Sequence, residues 1–302
     1  MSKTSERILF LENVAGVAGD MFSASFVDAG LVAASELQSL VSTLGLSGVE
    51  IVFSKVTKAL MQVTHMSVEI RDDSWKSVLA HGPAHTHSDA AQSTRFVATQ
   101  TQGNLITPHM ASTHWHTHYK DIDRLLADSK LEAGVKDFSR RVFRAIAEVE
   151  ASAHGMSVEE IAFHEVGAID SILDVVCAAY CVAKVGAVRV LATPIKLGRG
   201  VVNIEHGTHP VPPPATAKLV VGMPVAQVPA AITRENVELS TPTGVAILKV
   251  LAPVFVDGMP SGRVVAQGMG GGTMDLGSYP NVFRVAVLER SSTELPSFTD
   301  EV

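Results

Sequence analysis

Residues 163–198 read FHEVGAIDSILDVVCAAYCVAKVGAVRVLATPIKLG. The spacing predicts a helix from about Asp170 to Lys184. Its faces carry Ile172, Leu173, Val175, Val176, Ala178, Ala179 and Val182. A helix that is apolar all round is an interior helix. VRVLATPIKLG, which follows, reads as a strand. Together they place the chain in the α/β class, with mixed α+β layering as the variant. One main layered domain is expected over residues 1–290, followed by a polar tail over 291–302.

The mouth of this buried helix is charged. His164, Glu165, Asp170 and Asp174 precede or open it. An unpaired carboxylate is costly to desolvate, so these groups call for partners. On a helix, positions 170, 174, 177 and 181 share one stripe, with two carboxylates followed by two thiols. Asp170 as an N-cap and Asp174 in a structural ion pair are the plain readings. A metal site is the other, since imidazole with carboxylates suits Zn, Ni or Mn. Cys177 and Cys181 read as small buried residues in a reducing compartment.

Working outward, ILFLEN (8–13) reads as a buried strand and MFSASFVDAGL as a helix stopped by Gly30. Between them lies AGVAGDM (15–21). Gly16 and Gly19 permit a tight turn, and the helix start behind them is a place for an anion. The motif lacks the GK[ST] ending of a P-loop. Further on, EIVFSKV and MQVTHMSVEIR read as strands, and DIDRLLADSKL and GVKDFSRRVFRAIAEVEASAHG as helices.

Residues 74–118 have no lasting period and are rich in His, Thr, Ser, Ala and Gln. A long His-rich loop is expected over about 81–118. It holds His81, His85, His87, His109, His114, His116 and His118. In an extended chain His114, His116 and His118 face one side, with neighbours roughly 6.5–7 Å apart. Such a tract suits adaptable metal capture.

LGRGVVNIEHGTHPVPPPAT, ELSTPTG and GMGGGTMD are punctuated by glycine and proline. Arg199, His206, Thr241, Thr243 and Arg284 are their candidate pocket-lining polar groups. Several such loops in one chain suggest a site built from loop ends on an α/β scaffold.

The net charge is −7 and aromatic residues make up 5% of the 302, so no nucleic-acid surface is expected. No signal peptide or membrane span is expected, and the reading is cytoplasmic. The sequence leaves a homo-oligomer open.

AGVAGDM, FHEVGAIDSILDV, GRGVVNIEHGTHPVPPPAT, ELSTPTG and YPNVFRV occur in this order across about residues 8–288. Together they resemble the LarC family, the nickel-insertion proteins of nickel-pincer cofactor synthesis. The resemblance implies a nickel chelatase that places Ni2+ into pyridinium-3,5-bisthiocarboxylic acid mononucleotide. The product has a carbon–nickel bond, and CTP with Mn2+ or Mg2+ assists. It resembles the family's N-terminal portion. Full-length members carry the CTP site in a C-terminal domain, so a separate CTP-binding chain is an expected partner.

On this reading the metal residues are His164, Glu165, Asp170, Asp174 and His206, with His114, His116 and His118 serving capture. Glu165, Asp170 and Asp20 are the catalytic candidates. Gly16, Gly19, Arg199 and Arg284 are the candidates for holding a phosphate. A nickel storage or carrier protein is one rival reading. A metal-dependent hydrolase of a phosphorylated small molecule is the other.

Overall fold

The computed structural model describes residues 5–79, 117–163, 168–187, 189–204 and 207–291. Most of the His-rich stretch and the polar tail lie outside these residues, as do His164, Glu165 and His206.

Seven strands form the main sheet: β1 (Ser5–Glu12), β2 (Val49–Lys58), β3 (Met61–Ile70), β4 (Arg189–Ala192), β5 (Val254–Phe255), β6 (Arg263–Gly271) and β7 (Val282–Ser291). Their order is β5-β4-β1-β7-β6-β3-β2. β5, β4 and β1 run parallel, while β7 is antiparallel to both β1 and β6. The sheet is therefore mixed, as the α/β reading with α+β character expects.

ILFL reads as an unbroken apolar run because β1 is covered on both faces. Leu9 and Leu11 join the main core, while Ile8 and Phe10 meet Leu191, Ala286 and Leu288 on the other face. β6 meets β3 through one bridge, Gly270 to Thr64. Side chains reinforce that seam. The Asp28 carboxylate accepts from Thr64 Oγ1 at 2.6 Å and from the Met269 N–H at 2.9 Å.

The longer helices are α1 (Gly19–Asp28), α2 (Ala34–Thr43), α3 (Tyr119–Asp128), α4 (Ala133–His154), α5 (Ile169–Val185), α6 (Pro214–Leu219) and α7 (Pro242–Leu251), and a single turn forms at Lys76–Leu79. α1 lies directly on β6, β3 and β7, and also touches α5. Close approach to β6 is possible because Gly268 and Gly270 have no side chain to meet the α1 backbone. Phe22 and Phe26 stack at 5.1 Å, and Phe22 meets Phe283 of β7 at 5.4 Å. α5 is the interior helix that its composition requires. Ile172, Leu173, Val175, Val176, Cys177 and Ala178 have no exposed surface. Both cysteines are free thiols buried in it.

Two expectations are corrected. VRVLATPIKLG does not form one strand. It supplies β4 and then two short pairs, Ile195–Lys196 with Val225–Ala226 and Gly198–Arg199 with Val237–Glu238. Pro194 has no N–H to give, and Gly198 turns the chain at φ +112°. Nor is Asp170 an N-cap. Ala168 holds that position, and Asp170 is an exposed residue of the first turn whose Oδ1 accepts from the Ser171 N–H.

Glu36 ties α2 to α5. Its carboxylate accepts from Lys184 Nζ at 2.7 Å, Tyr180 Oη at 3.0 Å and the Ala33 N–H at 2.8 Å. Led by the Lys184 hydrogen bond, these hold its pKa at about 2, below the ordinary 4.5. A lowered pKa contributes stability above the unfolded value, lost as pH falls through the folded one. Glu36→Gln is expected to lower the thermal midpoint slightly at pH 7. The difference should vanish by about pH 2, and melts across that window check it.

Candidate functional site

Residues 13–18 leave β1 and enter α1, and neighbouring loops hold almost every one of them. The Asn13 N–H donates to Thr193 Oγ1, and Tyr279 Oη donates to the Val14 carbonyl. The Ala15 N–H donates to the Val282 carbonyl and the Val17 N–H to Ser240 Oγ. The Thr241 N–H donates in turn to the Val17 carbonyl. Gly16 is required because a Cβ there would fall on the Leu239 carbonyl. This loop is a rigid platform rather than an open cradle.

The platform delivers Asp20 to the start of α1, against the first turns of α5. A Cβ on Gly19 would lie 2.6 Å from Asp174 Cβ and 3.0 Å from its Oδ2, so the helix starts meet at this glycine. The Asp174 carboxylate accepts a hydrogen bond from the Asp20 N–H. Asp20 and Asp174 each keep some exposed surface, yet protein surrounds their carboxyls.

Burial raises the Asp174 pKa well above 3.8, and the charges of Asp20 and Asp170 raise it further. Burial also raises that of Asp20, against the pull of the Met21 N–H and of His65. Two carboxyls this close resist ionising together and behave as one titrating pair. A divalent cation would relieve both the burial and the repulsion.

His65 of β3 is a member that sequence reading missed. Its Nδ1 lies 2.8 Å from the Gly271 carbonyl. A carbonyl only accepts, so Nδ1 carries a proton and donates to it. Alternation in MQVTHMSVEIR marks a strand, and a histidine amid its buried residues was the available signal.

The other candidates are placed as follows. Asp170 belongs with Asp20 and Asp174 through its charge. Gly16 and Gly19 have their Cβ sides filled by protein, and Asp174 already accepts from the Asp20 N–H. Arg284 forms an ion pair with Glu12. Arg199 is exposed and donates to the carbonyls of Ile232 and Arg234. The ordinary ion pair weighed for Asp174 is not seen among the described residues.

His118 ends the His-rich stretch in a two-residue strand. Thr117 and His118 pair with Phe163 and Ala162, the residues just before His164. Nδ1 of His118 is buried without a hydrogen-bond partner among the described residues. His114, His116, His164, Glu165 and His206 lie outside those residues. Among the described residues, no three His, Cys, Asp or Glu side chains stand close enough to hold a metal ion by themselves.

The fold thus brings two enclosed carboxyls together where two helix starts meet beside a mixed sheet. The nickel insertion protein family model matches residues 9–301, and the chain belongs to that family. It is 33% identical over 94% of its length to the pyridinium-3,5-bisthiocarboxylic acid mononucleotide nickel insertion protein of Geobacillus kaustophilus, covering 60% of that relative. A relative of the same description from Staphylococcus epidermidis is 30% identical over 94% of the chain and 60% of its own length. A putative nickel insertion protein of Myxococcus xanthus is 37% identical over 95% of the chain and 63% of its own length. The chain thus spans about three fifths of the relatives it matches. No solved structure matches it. Among the described residues, no helix is long and apolar enough to cross a membrane.

Proposed function

We propose that this chain carries the nickel-handling part of an enzyme that inserts nickel into pyridinium-3,5-bisthiocarboxylic acid mononucleotide. The observation that carries this is the Asp20–Asp174 pair where the starts of α1 and α5 meet, in a chain of the nickel insertion family. Two enclosed carboxyls, with Asp170 adding its charge, favour a divalent ion over a proton once pH allows ionisation.

The pair supplies too few ligands alone. We assign the rest to His164 and Glu165, with Glu165 and Asp20 as the groups that also act in the chemistry. His206 is a further candidate. Pairing of His118 beside Phe163 supports a route from the His-rich stretch, His114 and His116 included, to the segment that carries His164. Oxygen and imidazole donors hold nickel with intermediate, pH-sensitive affinity. The two thiocarboxylate sulfurs of the substrate are softer and draw the ion onward.

CTP, with Mn2+ or Mg2+, belongs in our reading to the remaining two fifths of the family's length. The partner would be a domain or chain of that kind, and the setting the cytoplasm. Filled glycine sides in AGVAGDM, and a carboxylate at the start of α1, argue against a nucleotide phosphate there.

The test uses His164→Ala and Asp170→Ala in a transfer assay. Each is expected to reduce nickel transfer at least tenfold, while shortening residues 81–116 only raises the nickel concentration required. Unimpaired turnover in both point variants would remove the site. Phosphate release with Mn or Mg and no need for nickel would instead favour a hydrolase.

A further inference from the structure

A second polar cluster lies on the other side of the 13–18 platform, at the carboxyl ends of β1 and β4. Those strands are parallel neighbours, and β1 is flanked by antiparallel β7 on its other side. Crevices outside the carboxyl ends of parallel strands, where the strand order changes direction, are the usual ligand sites of α/β sheets.

Lys196 lies beyond these strand ends, four residues after β4. It is half-buried, and its Nζ donates to the Asn13 carbonyl. Its own carbonyl accepts from Ser240 Oγ at 2.7 Å. Asn13 is locked from behind, its Nδ2 donating to the Thr193 carbonyl at 2.7 Å. The lysine is thus held in position by a buried hydrogen-bonded scaffold.

Among the described residues, no carboxylate forms an ion pair with it. Glu12 is the acid whose charge reaches it, and Arg284 has claimed that carboxylate. Tyr279 Oη, also within the field of Glu12, lies against the same loop at Val14. Burial pushes the Lys196 pKa down, and Glu12 offsets this in part. An ammonium has three N–H donors, and among the described residues a single hydrogen bond occupies this one. A half-desolvated cation with spare donors, and with no carboxylate bonded to it among the described residues, is a place for an anion.

We infer that Lys196 binds the phosphate of the mononucleotide substrate. The assignment rests on the function proposed above. It replaces Arg199, an exposed side chain turned to the Ile232 and Arg234 carbonyls, and Arg284, whose charge is spent on Glu12. Asn13 at one end of the platform and Asp20 at the other would then place the substrate's phosphate and the nickel site along one rigid loop.

The test is calorimetric binding of two probes, the thiocarboxylate mononucleotide and its dephosphorylated nucleoside, to the full chain and to Lys196→Gln and Lys196→Arg. The wild-type chain is expected to prefer the mononucleotide by about tenfold or more. Lys196→Gln loses that preference while its affinity for the nucleoside stays unchanged, and Lys196→Arg recovers part of it. A Lys196→Gln chain that keeps the full preference overturns the assignment and leaves the proposed function standing. A wild-type chain that binds neither probe overturns both. Loss of affinity for both probes alike in Lys196→Gln, with none of it regained in Lys196→Arg, shows a scaffold role and also overturns the assignment.

Discussion

Asp174→Asn is expected to raise the thermal midpoint of the metal-free protein at neutral pH and to abolish its stabilisation by nickel. The Asp174 pKa is raised in the folded state, chiefly by burial and then by Asp20 and Asp170. A raised carboxyl binds its proton more tightly folded than unfolded. Its contribution is therefore complete below the unfolded value of about 3.8 and is lost as pH rises through the folded value. This is opposite in sign to Glu36. At pH 7 the metal-free pair either holds a proton against the solvent or carries repelling charges. Asparagine removes that penalty and keeps an acceptor for the Asp20 N–H. We expect a gain of a few degrees at pH 7, shrinking to nothing near pH 4. In wild type, nickel at a hundred times its dissociation constant would add about 2.7 kcal/mol, and the variant should gain almost none of it. Melts at both pH values, with and without nickel, check this. A variant less stable than wild type at pH 7, or still stabilised by nickel, would remove Asp174 from the site.

Gly270→Ala is expected to cost about 3 kcal/mol or more, which lowers the thermal midpoint by about 5 °C or more. The added methyl would fall on the Met21 carbonyl of α1, with the Ser25 N–H also in its path. Both obstacles are backbone, so no side chain can turn away. The same residue makes the single bridge between β6 and β3. Separation of α1 from the sheet would also displace Asp20, two positions into that helix. Gly134→Ala is the control, since nothing lies within 4 Å of its Cβ position. Circular dichroism melts of the two variants separate the effects. Equal melting of Gly270→Ala and wild type would show that α1 does not need this contact.

What could be read from the sequence followed the strength of local signals. Interior α5 was legible because Val175–Ala183 carries no charged residue on any face. Helix ends at Gly30, Gly155 and Gly186 adopt the positive φ that only glycine takes without strain. Residues 188–198 were misread as one strand, because apolar β-branched residues there serve three different partners and only tertiary pairing separates them. Asp170, Asp174 and Asp20 were legible as candidates from charge beside apolar runs. Their roles were not, because the meeting of α1 and α5 through Gly19 joins positions more than 150 residues apart. His65 and Lys196 stayed hidden for a related reason. Each is an isolated polar residue in an apolar strand or loop, and its meaning lies in a carbonyl supplied by a distant segment.

The central claim is that the carboxylate pair handles nickel during insertion. The most direct measurement incubates the chain with the thiocarboxylate mononucleotide, nickel, CTP and Mn, with the family's remaining portion supplied as a second chain. Mass spectrometry follows the nickel adduct. The account predicts that wild type forms the adduct and that the Asp20→Asn, Asp174→Asn double variant, folded by its melt, forms almost none. Adduct formation by the double variant at the wild-type rate would contradict it.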